Sequence, residues 1–182
     1  LEESKHSKNK WSHQDMKPKW WNKSRSYLIK KDKVISKLIR SYKGHLTTRN
    51  NFFYSLTRSI ISQQISVAAA DSVFSKFEKK CKYKINPKIV QKLSIQDLKK
   101  CGLSKMKAIG IKSLAQKILD KSFNPKLINK MTDEEAINYL SSLRQIGRWS
   151  AEMVLIFFYN RPNIWPVQDI GLLRAISNNY KK

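Results

Sequence analysis

Apolar side chains recur at intervals of three and four residues along most of the chain, which is the spacing of amphipathic helices. One such run extends from Tyr27 to Gly44, where the glycine breaks it, and further runs cover residues 51–61 and 66–79. No segment alternates between apolar and polar positions over the length of a strand. The pattern therefore predicts an all-α fold, and it contains no internal repeat.

Local start and stop signals divide the second half of the chain into shorter helices. Pro87 begins a short helix, Ser94 with Asp97 marks the start of the next one, and Gly102 is a helix stop. The helices that follow are predicted at residues 105–121 behind the N-cap Ser104, at 133–142 behind the capping box of Thr132 and Glu135, at 148–159 behind Gly147, and from Asp169 to Ile176.

Residues 1–24 lack this periodic pattern. They are polar and rich in lysine, with Trp11, Trp20 and Trp21 scattered among the charges. We therefore predict a basic, flexible N-terminal tail at residues 1–24, with Trp20 and Trp21 docking on the body, and a folded domain at residues 25–182.

The chain is strongly basic, with 37 lysine and arginine side chains, 13 acidic ones, a formal net charge of +24 and a pI of about 10.1. Such a charge favours a polyanionic partner, namely DNA, RNA or a ribosome, over a membrane surface. The excess of lysine over arginine is also typical of an AT-rich coding sequence. Composition alone therefore leaves both explanations open.

The cysteines and histidines do not suggest a metal centre. Cys81 and Cys101 are the two cysteines, and His6, His13 and His45 do not cluster with them. Two cysteines cannot complete a tetrahedral zinc site or hold an iron–sulfur cluster. We therefore expect no cofactor, no metal bound by side chains, and two buried, reduced thiols in a cytoplasmic protein. Because no apolar run is long enough for a transmembrane helix, no membrane partner is expected.

A very short connection joins the two helices predicted at residues 133–142 and 148–159. Its last residues are Gly147 and Arg148, where the second helix starts. The first N–H groups of a helix have no partner within it, and glycine lets a phosphate approach closely. Such a hairpin can bind one DNA phosphate without reading sequence. The alternative is a plain helical hairpin in a bundle.

One acid, Asp169, follows the aromatic and proline-containing link WPVQ. An acid at a helix start is usually an N-cap and nothing more. In so basic a chain, however, an uncompensated carboxylate beside a phosphate site would repel DNA. Its presence there is best explained if its negative charge has a function. A carboxylate can stabilise an oxocarbenium-like transition state and can orient or deprotonate water. The helix N-terminus would keep it ionised.

Trp149 and the pair Gln63–Gln64 each allow two interpretations. A tryptophan on a helix is by default part of the core, but it can also stack on a base turned out of the duplex and attract a cationic base. The two glutamines lie at a corner between predicted helices. They are either ordinary turn residues or the side chains that fill the gap left by a flipped nucleotide.

Four stretches, spread along most of residues 26–176, match those of a known family in the same order. They are LTRSIISQQISVAAADSVFSKF (56–77), GLSKMKAIGIKSLAQKI (102–118), LRQIGRWSAEMVLIFF (143–158) and WPVQDIGLLRAI (165–176). In these stretches the chain resembles the helix–hairpin–helix DNA glycosylases, specifically the 3-methyladenine DNA glycosylase II group. The resemblance implies an all-α, two-lobed helical bundle of the HhH-GPD type with the active site in its cleft.

The resemblance also implies roles for single residues. Asp169 stands where the family has its catalytic aspartate. Trp149 matches a base-pocket aromatic, and Met153, one helical turn further on, lines the same pocket. Gln64 matches the wedge that enters the DNA stack, with Gln63 beside it.

The hairpin matches the phosphate-binding turn of the family through Gln145, Ile146, Gly147 and Arg148. In the family this turn also holds a monovalent cation through backbone carbonyls. The family often has two glycines in the hairpin, whereas here Gln145 replaces the first, which restricts the geometry of the turn. A second departure precedes the aspartate, where the family often has an acid and this chain has Gln168.

The activity implied by the resemblance is that of a monofunctional DNA glycosylase of base excision repair. Such an enzyme flips out an alkylated purine, of the 3-methyladenine or 7-methylguanine type, and hydrolyses its N-glycosidic bond to leave an abasic site. Relatives that also cleave the strand have a nucleophilic lysine at the position of Trp149. Because this chain has tryptophan there, water is the expected nucleophile. A glycosylase/lyase and an RNA-binding protein are the less favoured alternatives.

Family members usually continue past the position of Lys182 with a further helix that packs on the first lobe. We therefore expect a glycosylase domain at residues 25–182 that lacks this last helix. A non-catalytic helix–hairpin–helix DNA-binding protein from a truncated gene is the main alternative. The expected partner is double-stranded DNA with damaged bases, bound by a monomer in a bacterial-type, nucleoid-containing cytoplasm.

Overall fold

The computed structural model describes residues 17–47 and 51–180, and every regular element within them is a helix. The N-terminal unit contains α1 (Trp21–Lys31) and α2 (Lys33–Ser41). The second unit begins at Asn51 and contains α3 (Phe52–Ser62), α4 (Val67–Lys80), α5 (Pro87–Lys92), α6 (Ile95–Lys100), α7 (Lys105–Leu119), a 3-10 helix (Pro125–Lys130), α8 (Asp133–Ser141), α9 (Arg148–Phe157) and α10 (Ile170–Asn179). The all-α prediction is confirmed.

The predicted helix starts form because local side chains satisfy the first N–H groups. Both predicted capping boxes are present, at the starts of α6 and α8. Ser104 accepts a hydrogen bond from the backbone N–H of Lys107 and caps α7. Gly102 adopts a φ of 97°, a left-handed conformation that suits the predicted stop after α6.

Three boundaries differ from the prediction. The run from Tyr27 to Gly44 is divided at Asp32, whose extended backbone ends α1 and whose side chain caps α2 by accepting from Ile35 N. The helical structure begins at Trp21, so the predicted boundary at residues 24 and 25 falls inside α1, and the chain instead divides into compact units between residues 50 and 51. The remainder of the predicted tail, residues 1–16, lies outside the described residues. Pro125 opens a 3-10 helix that the apolar pattern did not reveal.

The core of the second unit is built around α3. Leu56, Ile60 and Ile61 on this helix are fully buried, and α3 packs against α4, α7 and α9. Both cysteines are free and buried, as predicted. Burial raises the pKa of the Cys81 thiol to about 12, so this side chain behaves as an uncharged apolar group.

Candidate active site

The corner between α3 and α4 and the hairpin between α8 and α9 border the same open cleft of about 620 Å³. Its lining residues are Gln63, Gln64, Ser104, Met106, Lys107, Gln145, Gly147, Trp149 and Ser150. The fold therefore brings the two predicted DNA-contacting elements together, although they are about 80 residues apart in sequence.

Asp169 and Trp149 contact each other directly. The indole Nε1–H of Trp149 donates a hydrogen bond of 2.8 Å to Asp169 Oδ2, and the backbone N–H of Leu172 donates one of 2.8 Å to Oδ1. These two donors, together with the N–H of Gly171, lower the pKa of the Asp169 carboxyl. Burial raises this pKa and offsets part of the effect. The carboxylate is therefore ionised at neutral pH and held in a fixed orientation.

Gly171 contributes to this arrangement through its size. A Cβ atom added at this position would lie 3.0 Å from Asp169 Oδ1. Because glycine has no Cβ, the carboxylate can lie directly over the start of α10. The sequence analysis did not single out Gly171, although a glycine in the first turn of a predicted helix is a recognisable signal.

The N-terminus of α9 differs from most helix starts in the described residues. Gly147 is its N-cap and offers no side-chain oxygen, whereas side chains cap α2 to α8, the 3-10 helix and α10. A Cβ at Gly147 would meet no atom within 4 Å, so the space in front of this helix start is open. Such a terminus can accept an anion on its N–H groups.

The hairpin itself is anchored in the core by one of the predicted phosphate-site residues. The side chain of Ile146 is buried with 4% exposure, and its N–H donates to the carbonyl of Leu143. Ile146 can therefore contribute only backbone atoms to a ligand. Gln145 adopts a φ of 67°, the left-handed conformation that a glycine would adopt without strain.

That Gln63 belongs to the DNA wedge stays a prediction, and in this structure its side chain has partners within the protein. Its Nε2 donates 2.7 Å to the carbonyl of Gln145 and 2.9 Å to the hydroxyl of Ser150, which is itself buried. Gln63 therefore braces the corner against the hairpin and α9. Gln64 is the exposed member of the pair and has a φ of 57°.

Gln63→Glu is expected to lower the free energy of unfolding by about 1–2 kcal/mol, because it replaces an N–H donor with an oxygen that faces the Gln145 carbonyl. Chemical denaturation measures this effect. Gln64→Glu is the matched control, since it adds the same charge one residue away on an exposed side chain. Equal losses in the two variants would show that the charge, and not the brace, is responsible.

Lys107 is a cleft residue that the sequence analysis missed. Its Nζ donates 2.9 Å to the carbonyl of Ile61 and 2.6 Å to that of Gln63, so it caps the C-terminus of α3 from α7. Burial lowers the pKa of this ammonium group. No local pattern in the sequence indicates these contacts, because they join residues more than 40 positions apart.

Gly110 allows the hairpin to approach α7. A Cβ at Gly110 would lie 2.7 Å from Gln145 Cγ and 3.0 Å from Gln145 Cβ. These atoms cannot move away easily because the backbone of Gln145 is fixed in its left-handed conformation. Gly110 lies within α7, and a glycine inside a predicted helix is the sequence signal that could have identified a close contact.

Gly110→Ala is expected to destabilise the chain by about 1–3 kcal/mol through overpacking, even though alanine is the better helix former. The double variant Gly110→Ala with Gln145→Gly removes the clashing side chain and should recover most of this loss. Thermal unfolding of both variants measures the effect. If Gly110→Ala alone raised Tm, the hairpin would not be held against α7 as described.

Arg148, the last residue of the predicted phosphate-binding hairpin, has side-chain partners within the protein. Its guanidinium donates 2.9 and 2.6 Å to the two oxygens of Glu134, and its Nε donates 3.1 Å to Glu152. These hydrogen bonds lower the pKa of Glu134. Glu152 is 3% exposed, so Arg148 compensates a buried carboxylate. The i,i+4 spacing of Arg148 and Glu152 is the signal that could have indicated this pair.

Met153 is half-buried and is not among the residues that line the cleft, so its contact with a base stays a prediction. The same holds for the monovalent cation at the hairpin. The carbonyls of Gln145 and Gly147 already accept hydrogen bonds, from Gln63 Nε2 and from Ala151 N. Two of the three turn carbonyls thus have protein donors.

Two wider features concern the whole described chain. Across residues 17–47 and 51–180, no group of three or more His, Cys, Asp or Glu side chains is placed to hold a metal ion. The helices in the same residues are too short or too polar to span a bilayer.

The chain thus places a helical hairpin, whose second helix has no side-chain cap, beside a cleft, and an acid begins the helix that follows. The chain belongs to the HhH-GPD superfamily of base excision DNA repair proteins, whose family model matches residues 57–181. This confirms the resemblance seen in the sequence.

The chain is similar to two proteins of Schizosaccharomyces pombe. It is 34% identical to alkylbase DNA glycosidase-like protein mag2 over 124 residues, which cover 66% of this chain and 58% of that protein. It is 28% identical to DNA-3-methyladenine glycosylase 1 over 153 residues, which cover 82% of this chain and 65% of that protein. The chain thus spans about three fifths of the length of these relatives.

The fold is similar to that of 3-methyladenine DNA-glycosylase from Archaeoglobus fulgidus. The two superpose with a TM-score of 0.74 at 27% sequence identity, over 87% of this chain and 57% of that one. The architecture described above is therefore that of a solved glycosylase structure.

Proposed function

We propose that this chain is a monofunctional DNA glycosylase of base excision repair that hydrolyses the N-glycosidic bond of alkylated purines. The observation that carries the proposal is the position of Asp169. Its carboxylate is held by the indole N–H of Trp149 and by the start of α10, in the segment that matches the catalytic aspartate of the family. The names of the relatives, which refer to alkylated bases and to 3-methyladenine, support the substrate class.

The proposed chemistry uses Asp169 as an anion. As the bond between base and sugar breaks, positive charge develops at the anomeric carbon, and a nearby fixed carboxylate stabilises it. Each Asp169 oxygen accepts one hydrogen bond from the protein and retains acceptor capacity for an attacking water. A 3-methylated or 7-methylated purine is already cationic, so it leaves without strong protonation by the protein.

Trp149 has two roles in this proposal. Its N–H orients Asp169, and its ring, which borders the cleft, offers an electron-rich face to a cationic base. Because position 149 is occupied by tryptophan and not by lysine, no amine is available there to attack the sugar. The reaction is therefore expected to stop at the abasic site without strand cleavage.

The proposed DNA contacts are made without sequence readout. The open N-terminus of α9 at Gly147 binds one phosphate through backbone N–H groups. Gln64, exposed at the corner after α3, enters the stack where the damaged nucleotide leaves it. Double-stranded DNA with damaged bases is the proposed partner.

The test is base release from methylated duplex DNA by the purified 182-residue chain. Free 3-methyladenine and 7-methylguanine are quantified by chromatography, and the DNA is examined for nicks and for borohydride-trapped adducts. Base release without nicks or adducts is the expected result. A folded chain that binds duplex DNA but releases no base would be the non-catalytic binding protein, and trapped adducts would identify a lyase.

A further inference from the structure

The N-terminal unit contains a cavity of about 320 Å³ that lies outside the candidate active site. That volume equals about ten water molecules in the liquid, which is room for a hydrated phosphodiester. The lining residues are Lys17, Trp21, Asn22, Arg25, Lys43, Gly44 and His45. All of them belong to α1 or to the segments that flank the α1–α2 pair, and none of them is acidic.

The charge around this cavity is positive with almost no compensation. Residues 17–47 include Lys17, Lys19, Lys23, Arg25, Lys30, Lys31, Lys33, Lys37, Arg40 and Lys43, against the single acid Asp32. The Asp32 carboxylate is engaged as the N-cap of α2, where it accepts from Ile35 N at 2.8 Å. Asp32 is not among the residues that line the cavity.

Arg25 is the fixed cation of the cavity. Its guanidinium donates 3.1 Å to the carbonyl of Ile39 and 3.4 Å to that of Gly44, and both of these acceptors are neutral. Arg58, Arg148 and Arg161 in the second unit are different, since each forms an ion pair with a carboxylate. Arg25 is thus positioned by the fold while it keeps its full positive charge, and it has five N–H donors in all.

We infer that this cavity binds a phosphodiester of the DNA backbone and is a second DNA contact, separate from the hairpin of the catalytic unit. The inference rests on the proposed function for the identity of the polyanion. Lys17 and Lys43 are exposed and supply two further charges, and Lys17 also donates 3.2 Å to Asn22 Oδ1. Arg25 supplies the fixed donor, and the half-buried Trp21 ring offers an apolar wall to the sugar. The contact reads no base sequence.

The test is the salt dependence of binding to an undamaged, fluorescently labelled duplex, measured by anisotropy on the whole chain. The double variant Lys17→Gln with Lys43→Gln removes two charges from the cavity. Loss of this one phosphate contact should reduce the slope of log K against log salt by about 0.9. Circular dichroism checks the fold, which these exposed substitutions should leave unchanged.

The matched control is Lys33→Gln with Lys37→Gln, which removes the same charge from the same unit at positions that do not line the cavity. We expect a markedly smaller change of slope in this pair. Equal changes in the two double variants would overturn the inference, because net charge alone would then account for the binding. An unchanged slope in the cavity variant would overturn it as well.

Two further arms separate the ligand sources. Inorganic phosphate is added at constant ionic strength, and vesicles containing phosphatidylglycerol replace the duplex. Suppose that Lys17→Gln with Lys43→Gln bound inorganic phosphate or the vesicles less well than the native chain, while the salt dependence of its duplex binding stayed native. The cavity would then bind a free anion or a lipid headgroup, and the inference would be wrong.

Base release distinguishes this inference from the proposed function. Base release is measured on the native chain and on the control Lys33→Gln with Lys37→Gln, which should release base at the native rate because these residues line neither the cavity nor the cleft. A native chain that released no base while the two double variants differed in slope would contradict the enzyme and leave the second contact standing. Base release by the native chain, with the same slope in the two double variants, would support the enzyme and contradict the second contact.

Discussion

Asp169→Asn is expected to reduce base release by about 10²–10⁴-fold, which is the contribution typical of a positioned acid–base or electrostatic group. The substitution keeps the shape of the side chain, removes its charge and replaces one acceptor oxygen with an NH2 donor. Asparagine is as good an N-cap as aspartate, so α10 should retain its start through the bond to Leu172 N. The developing positive charge on the sugar would then have no anion to stabilise it.

The same substitution should leave DNA binding intact or make it tighter, because one negative charge is removed next to a phosphate backbone. Asparagine has one acceptor oxygen, so it cannot accept from both Leu172 N and Trp149 Nε1, and a loss of about 1–2 kcal/mol in stability is expected. Single-turnover base release and duplex binding are measured below the Tm of the variant.

Asp120→Asn is the control for this experiment. Asp120 is the C-cap of α7, and this 15-residue helix places it about 22 Å along the axis from the cleft residues at the helix start. The control removes the same charge and should retain base release. Turnover by Asp169→Asn at a rate near the native one would show that the carboxylate has no role in bond cleavage.

Arg148→Met is expected to lower Tm by about 10 °C, although Arg148 itself is exposed. The reason is its partner Glu152, which is 3% exposed and would remain as a buried carboxylate without a cation. Glu134→Gln, which removes only the exposed partner of Arg148, should change Tm by a few degrees at most. Differential scanning calorimetry of the two variants makes the comparison.

A double variant tests the cause of this deficit. Without Arg148, the buried Glu152 carboxylate would have lost the cation that contacts it. The double variant Arg148→Met with Glu152→Gln removes that carboxylate and should recover most of the loss. A deficit of the same size in the double variant would rule out the buried carboxylate as its cause.

Helix positions in this protein follow from short-range signals, which explains why the sequence predicted them well. The boxes at Ser94 and Thr132 and the stop at Gly102 act within three or four residues, and all three are formed. The pairing of Trp149 with Asp169 could also be anticipated, because the family resemblance assigns both to one site. Asp32 was overlooked because the apolar spacing continues across it from α1 into α2.

The contacts that the sequence did not reveal depend on tertiary packing. Gln63 and Arg148 are polar residues at exposed-looking positions, and nothing within a few residues of Gln63 reveals that its amide reaches Gln145 and Ser150. For Arg148 the partner Glu152 is local, but its burial depends on the packing of α9. Sequence patterns place a polar side chain on an element, whereas tertiary packing decides which donors and acceptors it meets.

The brace formed by Lys107 and Gln63 has a mechanical consequence for damage recognition. It joins α7, the α3–α4 corner and the hairpin by short hydrogen bonds, so the corner and the hairpin form one stiff body. Because a rigid DNA-binding surface cannot change shape to fit the duplex, the duplex itself must be bent and unstacked. That work is smallest where a lesion has already weakened stacking. Under the proposed function, the ease with which the duplex deforms would then select the damaged site before the protein contacts any chemical group on the base.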